Sequence, residues 1–211
     1  QGVVPTLVHQ AQVITESTLI NEYLEDCYPE PSLLPKTAIE RYQLRAFCKQ
    51  LDDHLHPACG VITYAIGARP GLLKKPEAEL AALIAQIPDE ARRRHRAMVI
   101  QDGVHAPIFK TAFAQYLQVL DFAEAQLALR PFLAGTQLSL ADYALTPYVL
   151  RLEQLALDKV MTRYPALAAW YQLIQQRDSY QIAINDWLPK AAVAGFKAAG
   201  EAVAAEITFP G

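Results

Sequence analysis

The sequence of 211 residues has few of the features that mark several large protein classes. Its three cysteines, Cys27, Cys48 and Cys59, are too few and too far apart for a disulfide framework, which favours a reducing compartment. No apolar run is long enough to cross a bilayer. A formal net charge of −3 provides no basic face for nucleic acid. We therefore expect a cytoplasmic protein with no membrane or nucleic-acid partner.

Patterns typical of metal sites and nucleophiles are also missing. His54 and His56 are two residues apart, which puts them on different sides of a helix. The chain has no His-x-x-x-His or Cys-x-x-Cys pair, and no serine in a nucleophile-elbow pattern. We expect no bound metal, and these patterns provide no catalytic residue.

The N-terminal part has the pattern of a small sheet followed by a helix. Residues 3–8 and 11–15 predict two strands joined at His9-Gln10, and residues 17–27 predict a helix. Residues 28–35 contain three prolines and predict a linker.

The rest of the chain, from residue 37 onwards, has helical periodicity. One buried helix face is indicated by the spacing of Leu44, Cys48, Leu51 and Leu55. The segment 190–211 is rich in alanine and predicts one weak helix and a frayed tail. Further helices are predicted over 77–86, 89–100, 107–129, 139–156, 165–177 and 180–187.

The junction of the second strand with the first helix is a candidate binding site. Ser17 has the residue type of a helix N-cap, and a helix start exposes backbone N–H groups that attract a carboxylate. Glu16 beside it could receive an ammonium group, so the pair would suit an amino-acid headgroup. From local sequence alone, a plain helix cap is the favoured explanation of the same residues.

Three further features have structural explanations. Ser139 and Asp142 form the S-x-x-D capping box of a central helix, which indicates a role in folding. The basic run 92–96 follows Asp89-Glu90 and is typical of a solvated helix face, with an anion site as the alternative. Pro5 stands at a strand start, where local sequence alone favours a trans bond.

Read in order, these pieces resemble the glutathione S-transferase family. The stretch from Arg41 to Arg69 is also similar to the bacterial β-aryl-etherase branch, which uses glutathione to cleave lignin-type ethers. The motifs that carry the family resemblance are Gly2-Val3-Val4-Pro5-Thr6-Leu7-Val8, Val13-Ile14-Thr15-Glu16-Ser17, Leu34-Pro35, Pro131-Phe132-Leu133-Ala134-Gly135 and Ser139-Leu140-Ala141-Asp142-Tyr143.

The resemblance implies the second half of an α/β thioredoxin-like domain over 1–28, a linker over 29–36 and an all-α helical domain over 37–211. The family begins with a β-α-β unit that carries the thiol-activating residue, and this sequence does not contain that unit. We therefore expect an N-terminally incomplete member and name no catalytic residue. If the molecule begins at Gln1, we expect no useful rate of conjugation with an aryl halide.

The resemblance also assigns a site for the co-substrate glutathione. In the family, the proline that matches Pro5 is cis, and the backbone of Val4 pairs with the cysteinyl part. Glu16 and Ser17 would hold the γ-glutamyl headgroup. Many members have glutamine or lysine where this chain has Val3, so one contact to the glycyl end is expected to be absent.

The acceptor site of the family lies between the domains, lined by the helix that begins near residue 39. The residues expected to bind a small hydrophobic electrophile are His54, Pro57, Val61 and Tyr64. The function implied is glutathione-dependent conjugation or ether cleavage. Two alternatives remain open: a non-catalytic binding or scaffold protein of this fold, and a module that serves only to dimerise.

A homodimer is also implied, with the helix near residues 39–66 at the interface. We predict that sedimentation velocity at micromolar concentration shows a dimer, because the helical half is unusually apolar. A single species of monomer mass under those conditions would contradict this prediction.

Overall fold

The structure is a computed structural model, and it describes residues 4–207. Two short antiparallel strands, β1 (Thr6–His9) and β2 (Gln12–Thr15), open the chain. The turn between them consists of Gln10 and Ala11, both at positive φ (48° and 62°). Two-residue hairpin turns of this kind match the right-handed twist of the strands. The expected connection at His9-Gln10 is therefore one residue too early, and residue 3 of the expected first strand lies outside the described range.

Helix α1 (Ser17–Cys27) follows at the expected bounds and is tied to the helical part by polar contacts. Arg45 donates to both carboxylate oxygens of Glu22, at 2.9 and 2.7 Å. At the other end of the helix, buried Glu25 accepts from the backbone N–H of Leu33 at 2.9 Å. These contacts fix the small α/β part against the helices that follow.

The chain is then helical without a break from residue 38 to residue 72, and two π-helical turns interrupt the α-helical pattern. The amide of His56 donates to the Leu51 carbonyl, five residues back, immediately before Pro57. A proline has no N–H and its ring clashes with the carbonyl four residues back, which explains the wider turn before Pro57 and before Pro70. The segments are α2 (Ala38–Gln50), the turn Leu51–Leu55, α3 (His56–Thr63), the turn Tyr64–Ala68 and α4 (Arg69–Leu72).

The predicted buried face of this helical run is confirmed. Leu44, Cys48, Leu51 and Leu55 are each between 0 and 4% exposed. The helices that follow are α5 (Glu77–Ala85), α6 (Glu90–Asp102), α7 (Pro107–Leu127), α8 (Leu140–Gln154), α9 (Pro165–Gln175), α10 (Asp178–Tyr180) and α11 (Lys190–Val203). Within residues 4–207, no helix has the length and apolar character needed to cross a membrane.

The C-terminal segment differs from the expected weak helix and frayed tail. Helix α11 has 14 residues and packs against the end of α8. A Cβ added to Gly200 would lie 1.8 Å from the backbone oxygen of Leu155, so only glycine permits this approach. Small residues let the two backbones come close, and this packing stabilises a segment that alanine content alone makes look weak. Residues 208–211 of the expected tail lie outside the described range.

The carboxylate of Asp142, which is fully buried, connects three parts of the helical domain. It accepts from Ser139 through the backbone N–H (2.9 Å) and the hydroxyl (2.7 Å). It also accepts from the Leu133 amide (3.0 Å) and the Trp170 indole N–H (2.8 Å). Burial raises the pKa of Asp142, and these hydrogen bonds oppose the rise. The capping box predicted from sequence is present, and the contacts to Leu133 and Trp170 extend it.

We predict that Asp142→Ala destabilises the protein by about 2–4 kcal/mol, more than the loss of a helix cap alone. The variant leaves the buried donors of Leu133, Ser139 and Trp170 without an acceptor. Equilibrium urea unfolding of parent and variant measures the difference.

The matched control is Glu40→Ala, which removes the acid of an exposed capping box with Thr37 at the start of α2. It should cost clearly less, because solvent can satisfy the freed groups. Equal losses of stability for the two variants would show that burial of Asp142 contributes nothing beyond the cap.

Candidate functional site

The register of the hairpin brings the expected glutathione-binding residues to one end of it. Thr6 pairs with Thr15, so Pro5 and Glu16, the next residues outward, lie at the same end of the two strands. The Val4–Pro5 bond is cis, as the resemblance implies. The Val4 side chain is 91% exposed. The backbone before β1 and the start of α1 therefore converge on one exposed surface.

Glu16 connects β2 to α1 in an unusual backbone conformation. Its φ of 69° and ψ of 109° lie outside the regions that a glutamate readily adopts. It occupies the N-cap position, and Ser17 is the first helical residue, so the expectation that Ser17 is the cap is wrong. The strained backbone turns the chain abruptly and leaves both side chains exposed at the helix start.

The start of α1 lacks the side-chain cap that α2 and α6 have. The side chain of Glu16 makes no hydrogen bond to the first turn of α1, and that turn contains no acidic residue. By contrast, Asp89 accepts from the Arg92 amide at 2.6 Å at the start of α6. An exposed and uncapped helix start provides N–H donors and a positive dipole end for an anion. A carboxylate and an ammonium group can thus be received side by side.

A hydrogen bond connects this surface to the helical part. The Thr18 hydroxyl donates to Asp52 at 2.8 Å, and Asp52 belongs to the π-helical turn that leads into α3. The start of α1 is therefore held beside the helix on which the acceptor site is expected.

A cavity of about 310 Å³ lies between α3 and α6. Two of the expected acceptor residues, Pro57 and Val61, line it. His54 is exposed and is not part of this lining, and Tyr64 lies beneath the guanidinium of Arg96, 3.0 Å from the ring centroid. The complete lining is His56, Pro57, Gly60, Val61, Asp89, Ala91, Arg92, His95, Arg96 and Val99.

Sequence reasoning did not assign the polar residues of this lining to the acceptor site. His56 was considered only as a metal ligand, and its Nδ1 lies 3.2 Å from the hydroxyl of Tyr148. Asp89, Arg92, His95 and Arg96 were assigned to a solvated face, with an anion site as the alternative. Their spacing of three and four residues places them on one side of α6 and could have indicated a shared site.

The buried thiols do not add a nucleophile to this region. Burial raises the pKa of Cys48 to about 12, with a further contribution from Asp52. Burial also raises the pKa of Cys59, against the hydrogen bond from Thr63. Both side chains are therefore neutral at physiological pH. Among the described residues, no group of three or more His, Cys, Asp or Glu side chains is placed to hold a metal ion.

Known proteins resemble this chain over most of its length. The model for the glutathione S-transferase N-terminal domain matches residues 1–32, and that for the C-terminal domain matches residues 88–178. Protein LigF from Sphingobium sp. strain SYK-6 is 30% identical over 186 residues, which cover 84% of this chain and 71% of LigF. A probable maleylacetoacetate isomerase from Vibrio cholerae is 26% identical over 168 residues, 78% of this chain and 62% of that protein.

The solved structures give the same result. The crystal structure of the β-etherase LigF superposes with a TM-score of 0.76 at 25% identity, covering 87% of this chain and 78% of that one. These findings agree. Two domain models match, LigF is 30% identical with 71% of its length covered, and the fold is shared. The chain belongs to the glutathione S-transferase family and is similar to its β-etherase branch.

Proposed function

We propose that this protein binds glutathione at the start of α1 and transfers its sulfur to a small hydrophobic electrophile. The observation that carries the proposal is the convergence of Val4, Pro5, Glu16 and Ser17 at one end of the hairpin, beside an uncapped helix start. Relatives named as glutathione S-transferases, and a bacterial member solved with glutathione bound, support it.

The γ-glutamyl end of glutathione carries an ammonium and a carboxylate on one carbon. In our proposal, the carboxylate of Glu16 receives the ammonium group. The Ser17 hydroxyl and the first amides of α1 donate to the carboxylate, where the helix dipole adds attraction. The backbone of Val4 pairs with the cysteinyl residue, which directs the thiol away from the headgroup.

The reaction that we propose is nucleophilic substitution by the glutathione thiolate. A new S–C bond forms at the electrophilic carbon, and the leaving group departs with the electron pair of the bond that breaks. An aryl ether or an aryl halide would provide such a carbon. The cavity between α3 and α6 is our candidate for the acceptor site, since Pro57, Val61 and Val99 give it apolar walls.

We further propose that the protein is a cytoplasmic homodimer. Ile39 and Tyr42 on α2 are 62% and 64% exposed, and large apolar side chains on one helix face support an interface there. The three cysteines are free, which is compatible with a reducing compartment.

Glutathione binding can be tested with Glu16→Gln, using S-methylglutathione as a probe that cannot react. We predict that isothermal titration calorimetry shows an affinity about tenfold lower for this variant. A hydrogen bond to a charged group contributes about 1.5–3 kcal/mol, and tenfold is about 1.4 kcal/mol. Ser17→Ala should weaken binding in the same direction.

The matched control is Asp26→Asn, which removes the same charge from the same helix. Asp26 is exposed near the C-terminal end of α1, away from the helix start, so its loss should leave the affinity nearly unchanged. An equal loss of affinity in both variants would refute the proposed headgroup site. Binding of the probe without turnover of any aryl ether or halide, by protein that includes the thiol-activating β-α-β unit, would instead favour a non-catalytic protein of this fold.

A further inference from the structure

We propose that the cavity between α3 and α6 recognises a carboxylate on its hydrophobic ligand, with Arg92 and Arg96 as the recognising groups. The inference rests on the proposed function for the identity of this cavity as the acceptor site. It narrows the proposed substrates from uncharged hydrophobic electrophiles to compounds with one apolar ring and an acidic arm.

The shape of the cavity suits one ring. About 310 Å³ is at the small end of the range for ligand pockets. Pro57 and Val61 face Val99 across it, and Gly60 contributes no side chain. A Cβ at Gly60 would meet no atom within 4 Å, so the space beside α3 is open at this point.

The charges that line the cavity are not balanced. Arg92 and Arg96 contribute two positive charges, and Asp89 is the acidic residue of the lining. The carboxylate of Asp89 already accepts the Arg92 amide at 2.6 Å, as the cap of α6. Between residues 4 and 207, neither arginine forms a salt bridge, whereas neighbouring Arg94 pairs with Glu90. An anionic ligand would supply the missing counter-charge.

Arg96 is positioned to receive this ligand. Its guanidinium lies over the ring of Tyr64, an arrangement that fixes the planar group while leaving N–H donors at its edge. Burial lowers the pKa of Arg96, and the nearby charge of Arg92 lowers it further. Two arginines one helical turn apart repel each other, and a carboxylate between them would convert that repulsion into attraction.

The two imidazoles of the lining add hydrogen-bonding groups. His95 lies beside Arg96 in sequence, and His56 is directed by its contact with Tyr148. The lining thus combines charged side chains from α6 with apolar side chains from both helices. A ligand with a ring at one end and a carboxylate at the other would meet both.

The experiment compares 4-fluorophenoxyacetate with 4-fluorophenoxyacetamide, which has the same shape and no charge. Binding to the full chain is followed by 19F NMR titration without glutathione. We expect the acid to bind about tenfold more tightly than the amide, as charge-assisted hydrogen bonds predict. This preference should be lost in Arg92→Gln and Arg96→Gln and partly retained in Arg96→Lys, which keeps the charge and loses the planar fork.

The control is Arg94→Gln, which removes one charge from the same helix outside the cavity and should leave the preference unchanged. Circular dichroism melting identifies any variant that does not fold, and Arg92→Gln then serves in place of Arg96→Gln. Equal affinity for acid and amide, or an equal effect of Arg94→Gln, would overturn the inference. Because glutathione is absent, failure of the headgroup site would leave this result unchanged, so the two proposals can fail separately.

Discussion

One buried carboxylate, that of Asp142, joins three segments of the helical domain. Asp142 cannot be solvated, so its charge is tolerable only because donors from three segments surround it. Those donors fix the loop before α8, the start of α8 and the face of α9 that carries Trp170. Removing any one of these donors would raise the free energy of the buried carboxylate, so the hydrogen bonds stabilise the domain cooperatively.

Hydrogen bonds connect this part of the helical domain to α1, which carries the proposed glutathione site. The amide of Leu140, at the start of α8, donates to the Leu33 carbonyl at 3.0 Å. Leu33 in turn donates through its own amide to Glu25 near the end of α1. Helix α1 is thus held at its C-terminal end by the helical domain, while Thr18 and Asp52 hold the other end. Glu16 and Ser17 are exposed, but contacts at both ends connect the helix that carries them to the rest of the structure.

The sequence predicted the structural features that follow from residue periodicity. It did not determine the features that follow from tertiary contacts. The repeat from Leu44 to Leu55 predicted a buried helix face, because burial of one face requires that spacing. The hairpin turn was misplaced by one residue, since Gln10 and Ala11 are not the glycine or asparagine that usually marks positive φ. The cavity could not be found in this way, because only the packing of α6 against α3 decides that Arg92 and Arg96 face Pro57.

Pro57 shows how one residue can affect both candidate sites. Its missing N–H and its ring favour the wider turn at Leu51–Leu55, and that turn carries Asp52, the acceptor for Thr18. Its side chain also forms part of the apolar wall of the cavity. The same local distortion of one helix thus lies next to both the proposed glutathione site and the proposed acceptor cavity.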